Sequence, residues 1–122
     1  MRLLLDTHIL LWALNDDPRL VAPAREALHD AQERIVSAAT IWEISIKRAL
    51  GKLRVEGDPI QHALDAGCVP LSVTWSHGEA AGSLPPHHAD PFDRLLIAQA
   101  QIEGMTILTA DPFFRQYDVS IA

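Results

Sequence analysis

Short apolar runs rich in Leu, Ile and Val alternate along this chain with stretches of helical periodicity. That alternation predicts an α/β domain with a parallel sheet flanked by helices. Arg2–Leu5 reads as a buried first strand, and Thr7–Leu14 as a helix with Ile9, Leu10 and Ala13 on one side. Val21–Ala31 is expected to be a second helix, since Pro23 is tolerated in a first turn. Arg34–Ser37 reads as a second strand. Ala39–Leu50 follows as a helix with apolar Ile41, Ile44 and Leu50, stopped by Gly51. Pro59–Ala66 is a further helix, Val69–Val73 a strand, and Thr74–Leu84 a helix ended by Pro85 and Pro86. Pro91–Glu103 is a long helix stopped by Gly104. Thr106–Thr109 is a strand, Pro112–Gln116 a short helix and Val119–Ile121 a last strand.

The chain has 122 residues, 48% of them apolar, which suits one buried core and a single domain over 1–122. With aromatics at only 6%, the core must be built mainly of Leu, Ile, Val and Ala. No apolar run is long enough to span a bilayer. Leu3, Leu4 and Leu5 after Arg2 look like a signal peptide, but Asp6 interrupts them at once, so a cytoplasmic chain is expected. The lone Cys68 has no internal partner, fits a reducing compartment and reads as a buried structural thiol. The net charge of −6 has the wrong sign for binding phosphates, so any nucleic-acid role needs a local basic patch or a metal. Lys47, Arg48, Lys52 and Arg54 form such a patch, with no acid between 44 and 55. The same cations equally suit a solvated helix end near the negative pole of the dipole.

Asp6 follows the first strand, Glu43 lies early in the helix after the second, and Asp111 follows the strand at Thr106–Thr109. Ligands of open α/β sheets bind beyond the carboxyl ends of the strands, so these acids can meet at one edge. Asp93 opens the Pro91 helix, and its place at that edge is less secure. A second explanation stands beside this one. Asp6 and Asp111 fit as helix N-caps, Asp90 and Asp93 resemble a capping box, and Glu43 suits the positive end of a helix. Asp17-Pro18, Asp58-Pro59, Asp90-Pro91 and Asp111-Pro112 show that Asp-Pro is this chain's ordinary way to open a helix.

Carboxylates brought together repel, and such a cluster needs a cation or protonation to be tolerable. Hard divalent ions take oxygen ligands and can activate water for in-line attack on a phosphodiester. A phosphatase of the haloacid-dehalogenase type would need a second Asp at position 8, where this chain has His8. Cys68 has no special setting and no nucleophile-elbow glycine pattern appears, so serine or cysteine hydrolysis is poorly supported. A non-catalytic module that binds metal or a partner through its acids stays open.

Leu5-Asp6-Thr7, Ala38-Ala39-Thr40-Ile41-Trp42-Glu43-Ile44, Asp90-Pro91-Phe92-Asp93-Arg94-Leu95-Leu96-Ile97-Ala98 and Leu108-Thr109-Ala110-Asp111 together resemble the PIN-domain family. Within it, the chain looks like the VapC-type toxins. The resemblance runs from end to end, with the motifs in order. It implies a Rossmann-like parallel sheet and a Mg²⁺- or Mn²⁺-dependent endoribonuclease. Its four acids correspond to Asp6, Glu43, Asp93 and Asp111, as catalytic and metal-holding residues. Thr7 and Thr109 match positions where a hydroxyl borders the site, and Asp90 reads as a helix cap close to it. The resemblance further implies a homodimer held inactive by a small VapB-like antitoxin, with RNA as substrate and no membrane.

Arg94 reads either as a partner for a carboxylate or phosphate or as a plain surface ion pair. Lys47 and Arg48 are candidates for substrate contact. His87 and His88 flank a Pro-rich turn and read as loop residues, since a zinc site would need further ligands that are not evident. His8 reads as a helix residue, and Trp12 and Trp42 as core or interface anchors.

Overall fold

Four parallel strands form one sheet in the order β3-β2-β1-β4 in the computed structural model, which describes residues 1–122. They are β1 (Arg2–Leu5), β2 (Glu33–Ser37), β3 (Cys68–Leu71) and β4 (Thr106–Leu108). The helices are α1 (Thr7–Leu14), α2 (Ala22–Asp30), α3 (Ala38–Ala49), α4 (Pro59–Asp65), α5 (Trp75–Ser83) and α6 (Pro91–Glu103). Pro112–Gln116 forms a short 3-10 helix.

β1 is apolar on both faces, and a strand of that kind needs a layer of helices on each side. Leu3 and Leu5 join Ile9, Leu10, Val36, Ile44 and Leu108 in one core layer. Leu4, pointing the other way, joins Ile35, Leu96, Ile97, Ile107 and Phe114 in the second.

β2 starts one residue before the expected Arg34 and β4 ends one residue before the expected Thr109, and two other expected strands change further. β3 starts and stops earlier than Val69–Val73, because its partner β2 ends at Ser37, opposite Leu71. Ser37 is already the N-cap of α3, accepting from Ala39 N at 3.0 Å, so nothing remains for Val73 to pair with. Val119–Ile121 is not a strand but a single bridge from Ile121 to Ile107. A tight turn, with Val119 N donating to Tyr117 O at 2.9 Å, bends this segment so that only Ile107 exchanges backbone bonds with it.

Parallel strands bring their C-terminal ends to one edge. β1 delivers Asp6 there, β2 leads into α3, and β4 leads to Thr109 and Asp111. α6 leads directly into β4 and must therefore start at that same edge. It is capped by Asp90 and ends on left-handed Gly104, at φ 66°.

Candidate active site

Asp6, Glu43 and Asp93 are 4%, 3% and 9% exposed, unusually buried for carboxylates that face no arginine. Asp6 occupies the N-cap position of α1 but makes no capping hydrogen bond. Instead its Oδ2 accepts from Thr109 Oγ1 at 2.7 Å, joining the end of β1 to the end of β4. Thr109 Oγ1 also accepts from Asp111 N at 3.0 Å. Asp111 does act as a cap, accepting from Phe113 N at 2.9 Å. It shares with Asp6, His8 and Trp12 a shallow cleft of about 290 Å³.

Glu43 is held from two sides. Thr7 Oγ1 donates to its Oε1 at 2.6 Å, and Lys47 Nζ, one turn along α3, lies 2.7 Å from its Oε2. Thr40 Oγ1 lies 3.5 Å from Thr7 Oγ1. Asp93 is held by His88, whose Nε2 lies 2.8 Å from Oδ2. His88 itself is fixed by stacking flat on Phe113 (centroids 5.2 Å apart, planes 2° apart) and by its backbone N donating to Tyr117 OH at 2.8 Å. Asp90 Oδ1 caps α6 through Phe92 N and Asp93 N. Donor atoms of His88, Asp90 and Asp93 all lie within 4.8 Å of one another.

The acids perturb each other. Burial above all pushes the Asp93 carboxyl up to about 7. The His88 contact offsets part of this, while the charges of Asp90, Asp6 and Glu43 add to it. Burial likewise raises Asp6, against the pull of the Thr109 hydroxyl and the charge of His8. The hydrogen bond to Glu43 raises Lys47, and Asp90 and Asp93 strengthen the effect. Buried acids that resist ionisation for want of positive charge form a site that a cation stabilises.

The other candidates are placed elsewhere or bound differently. Arg94 donates to no carboxylate: its guanidinium bonds the carbonyls of Ala81, Leu84, Pro85 and His88, fastening the turn before α6. Arg48 donates to Gly57 O at 2.7 Å, away from the acids. Trp42 is 60% exposed and meets Phe92 edge-on at 5.3 Å, so it is no core residue. Trp12 is half-buried, near His8 and under the Arg19 guanidinium. Cys68 is half-buried, and burial raises its thiol. The sequence reading missed His88 as a partner of Asp93. Its one available signal was a position five residues ahead of that acid, across a Pro-rich turn closed by the Asp90 cap.

A parallel sheet with buried acids at its carboxyl edge defines the class, and the PIN domain family profile matches residues 3–120. This chain belongs to the PIN domain family. It is 29% identical over 121 residues to Ribonuclease VapC22 of Mycobacterium tuberculosis (strain ATCC 25618 / H37Rv), covering 93% of this chain and 90% of that protein. Its fold is similar to VapBC2 from Rickettsia felis bound to a DNA fragment from their promoter. That match has a TM-score of 0.72, 16% identity, and covers 100% of this chain and 98% of that one. A toxin-antitoxin complex from Klebsiella pneumoniae matches with a TM-score of 0.70 and 18% identity, over 98% of this chain and 94% of that one. No helix is long and apolar enough to cross a membrane.

Proposed function

We propose that this chain is a metal-dependent endoribonuclease and the toxin component of a VapBC-type pair. The observation that carries this reading is the burial of Asp6, Glu43 and Asp93 at the carboxyl edge of the sheet, where their charges act on one another. Family membership and the likeness to a VapC ribonuclease support it.

The donor set fits a hard cation. It is rich in carboxylate oxygen and has no thiolate, which favours Mg²⁺ or Mn²⁺ over Zn²⁺. Asp6 and Asp93 would hold the ion, with Glu43 and Asp111 bordering it. Bound there, a divalent ion supplies the positive charge that draws in a phosphodiester and prepares water for in-line attack. The chain's own groups do the rest. Thr109 and His88 fix the Asp6 and Asp93 carboxylates, and Thr7 and Lys47 fix Glu43. Preformed acids of this kind need no reorganisation when substrate arrives.

The partner is a VapB-like antitoxin on a homodimeric toxin. The cleft of Asp6 and Asp111 runs, through Trp12 and Ala110, into an apolar hollow of about 200 Å³ lined by Ile9, Leu20, Val21 and Ala24. An antitoxin segment lying there sets a cationic side chain against Asp6 or Asp111. RNA incubated with the purified chain should be cut in Mg²⁺ or Mn²⁺ and left intact in EDTA. Undiminished cutting in EDTA refutes metal dependence.

A further inference from the structure

The oxygens of the three buried acids are not used alike. Asp6 and Asp93 each have Oδ2 engaged, by Thr109 Oγ1 and His88 Nε2, while no side-chain hydrogen bond reaches either Oδ1. Glu43 has both oxygens engaged: Thr7 Oγ1 donates to Oε1 at 2.6 Å and Lys47 Nζ lies 2.7 Å from Oε2. Glu43 thus already faces a cation, whereas Asp6 and Asp93 are held by neutral side chains on one oxygen each.

Lys47 is the one basic residue of its cluster that faces these acids. It lies one turn beyond Glu43 on α3, the spacing that puts two side chains on the same face. Its side chain is 36% exposed, and its charge also falls on Asp90 and Asp93. Neighbouring Arg48 is turned away to Gly57 O.

We propose that the Lys47 ammonium is a built-in second cation, standing beside Glu43 where a second divalent ion would otherwise bind, so that the site takes one divalent ion, on Asp6 and Asp93. This rests on the metal-dependent nuclease reading above. Two-metal phosphoesterases use the second ion to hold the far side of the reacting phosphate. An ammonium carries three N–H donors as a compact point charge. One goes to Glu43, and the others are free for a phosphate oxygen. Lys47 on this account holds Glu43 and meets the phosphate where a second metal would otherwise stand.

The test counts ions rather than activity. Metal-stripped protein is titrated with Mn²⁺ and the free ion is read by electron paramagnetic resonance. Wild type and Lys47→Arg should bind one Mn²⁺ per chain, and Lys47→Met should bind two. In parallel, the dependence of cleavage on Mn²⁺ should steepen from first towards second order in Lys47→Met alone. Lys47→Gln replaces Lys47→Met if the latter does not fold by circular dichroism. Two ions in the wild type overturn the proposal, as does a single ion in the neutral variant. If wild type binds two ions and is silenced by EDTA, only this proposal fails. If it binds none and cuts in EDTA, the metal-dependent reading fails with it.

Discussion

His88 Nε2 lies 2.8 Å from Asp93 Oδ2, tying the turn before α6 to an acid in that helix's first turn. A carboxylate only accepts hydrogen bonds, so with Asp93 ionised the imidazole donates and orients its partner. Phe113, stacked flat on the imidazole, and Tyr117, bonded to the His88 backbone, come from the segment after β4. The segment that carries Asp111 thus also sets the orientation of Asp93.

Removing that imidazole should loosen Asp93 without unfolding the chain. His88→Ala should weaken Mn²⁺ binding about 10- to 100-fold, the range typical of groups that orient ligands from behind. Isothermal titration calorimetry measures it. Wild-type affinity in His88→Ala removes the orienting role.

Asp6→Asn, Glu43→Gln and Asp93→Asn should each abolish RNA cleavage, because each removes a negative charge from the buried edge. None of these side chains caps a helix, so melting should show the fold intact. Asp111→Asn should act more mildly. Asp111 is only half-buried and its Oδ1 already serves Phe113 N. Full activity in a folded Asp6→Asn protein sinks the site.

The strand-end acids were legible because the pattern of β1 and β2 was. Leu3-Leu4-Leu5 allows only a buried strand, and an acid directly after such a strand must stand at the sheet's carboxyl edge. Asp93 was harder, since it follows a turn rather than a strand. Its position comes from topology: a helix leading into a parallel strand starts where the other strands end. The sheet order β3-β2-β1-β4 was not readable, because strand order depends on long-range packing that periodicity does not encode. Arg94 illustrates the same limit. Its neighbour in sequence is an acid, yet its partners are carbonyls presented by the turn at 84–88 and the end of α5.

Those carbonyls make Arg94 a structural residue. Arg94→Met leaves four acceptors without their donor and should cost about 2 kcal/mol, as expected for bonds to a charged group. Lys should not rescue it, because an ammonium cannot match a planar fork. Urea denaturation gives the difference. A change within error of zero contradicts this role.

The metal-free protein should lose stability as pH rises. Burial lifts folded Asp93 to about 7, whereas the unfolded carboxyl titrates near 3.8. Between those values the folded chain holds a proton that the unfolded chain has released, so stability falls with pH across that window. Asp6, also raised by burial, acts in the same direction. In EDTA, the Tm should drop from about pH 5 to about pH 7.5, and Asp93→Asn should flatten the slope. A saturating divalent ion reverses the trend, since it binds the deprotonated form. Identical profiles for wild type and Asp93→Asn would discard the assignment.

A VapB-like partner should control this chain. Asp6 and Asp111 border an open cleft, and no Arg of this chain closes on Asp6, Glu43 or Asp93. On the proposed nuclease reading, a partner that covers this cleft would hold the enzyme in check. The apolar hollow beside Trp12 offers burial for an antitoxin segment, and the adjoining acids offer charge-assisted bonds to its Arg or Lys. Such a side chain would displace the divalent ion and block substrate together. Expression of the wild-type chain alone should therefore arrest bacterial growth, and Asp6→Asn should not. Co-expression with a cognate VapB-like protein should restore growth and give a complex that survives purification. Leu20→Asp, which puts a charge into the hollow, should weaken that complex, provided its melting shows a folded chain. Harmless expression of the folded wild type, in a host without a related antitoxin, counts against the toxin role and leaves the nuclease reading to stand on its cleavage assay.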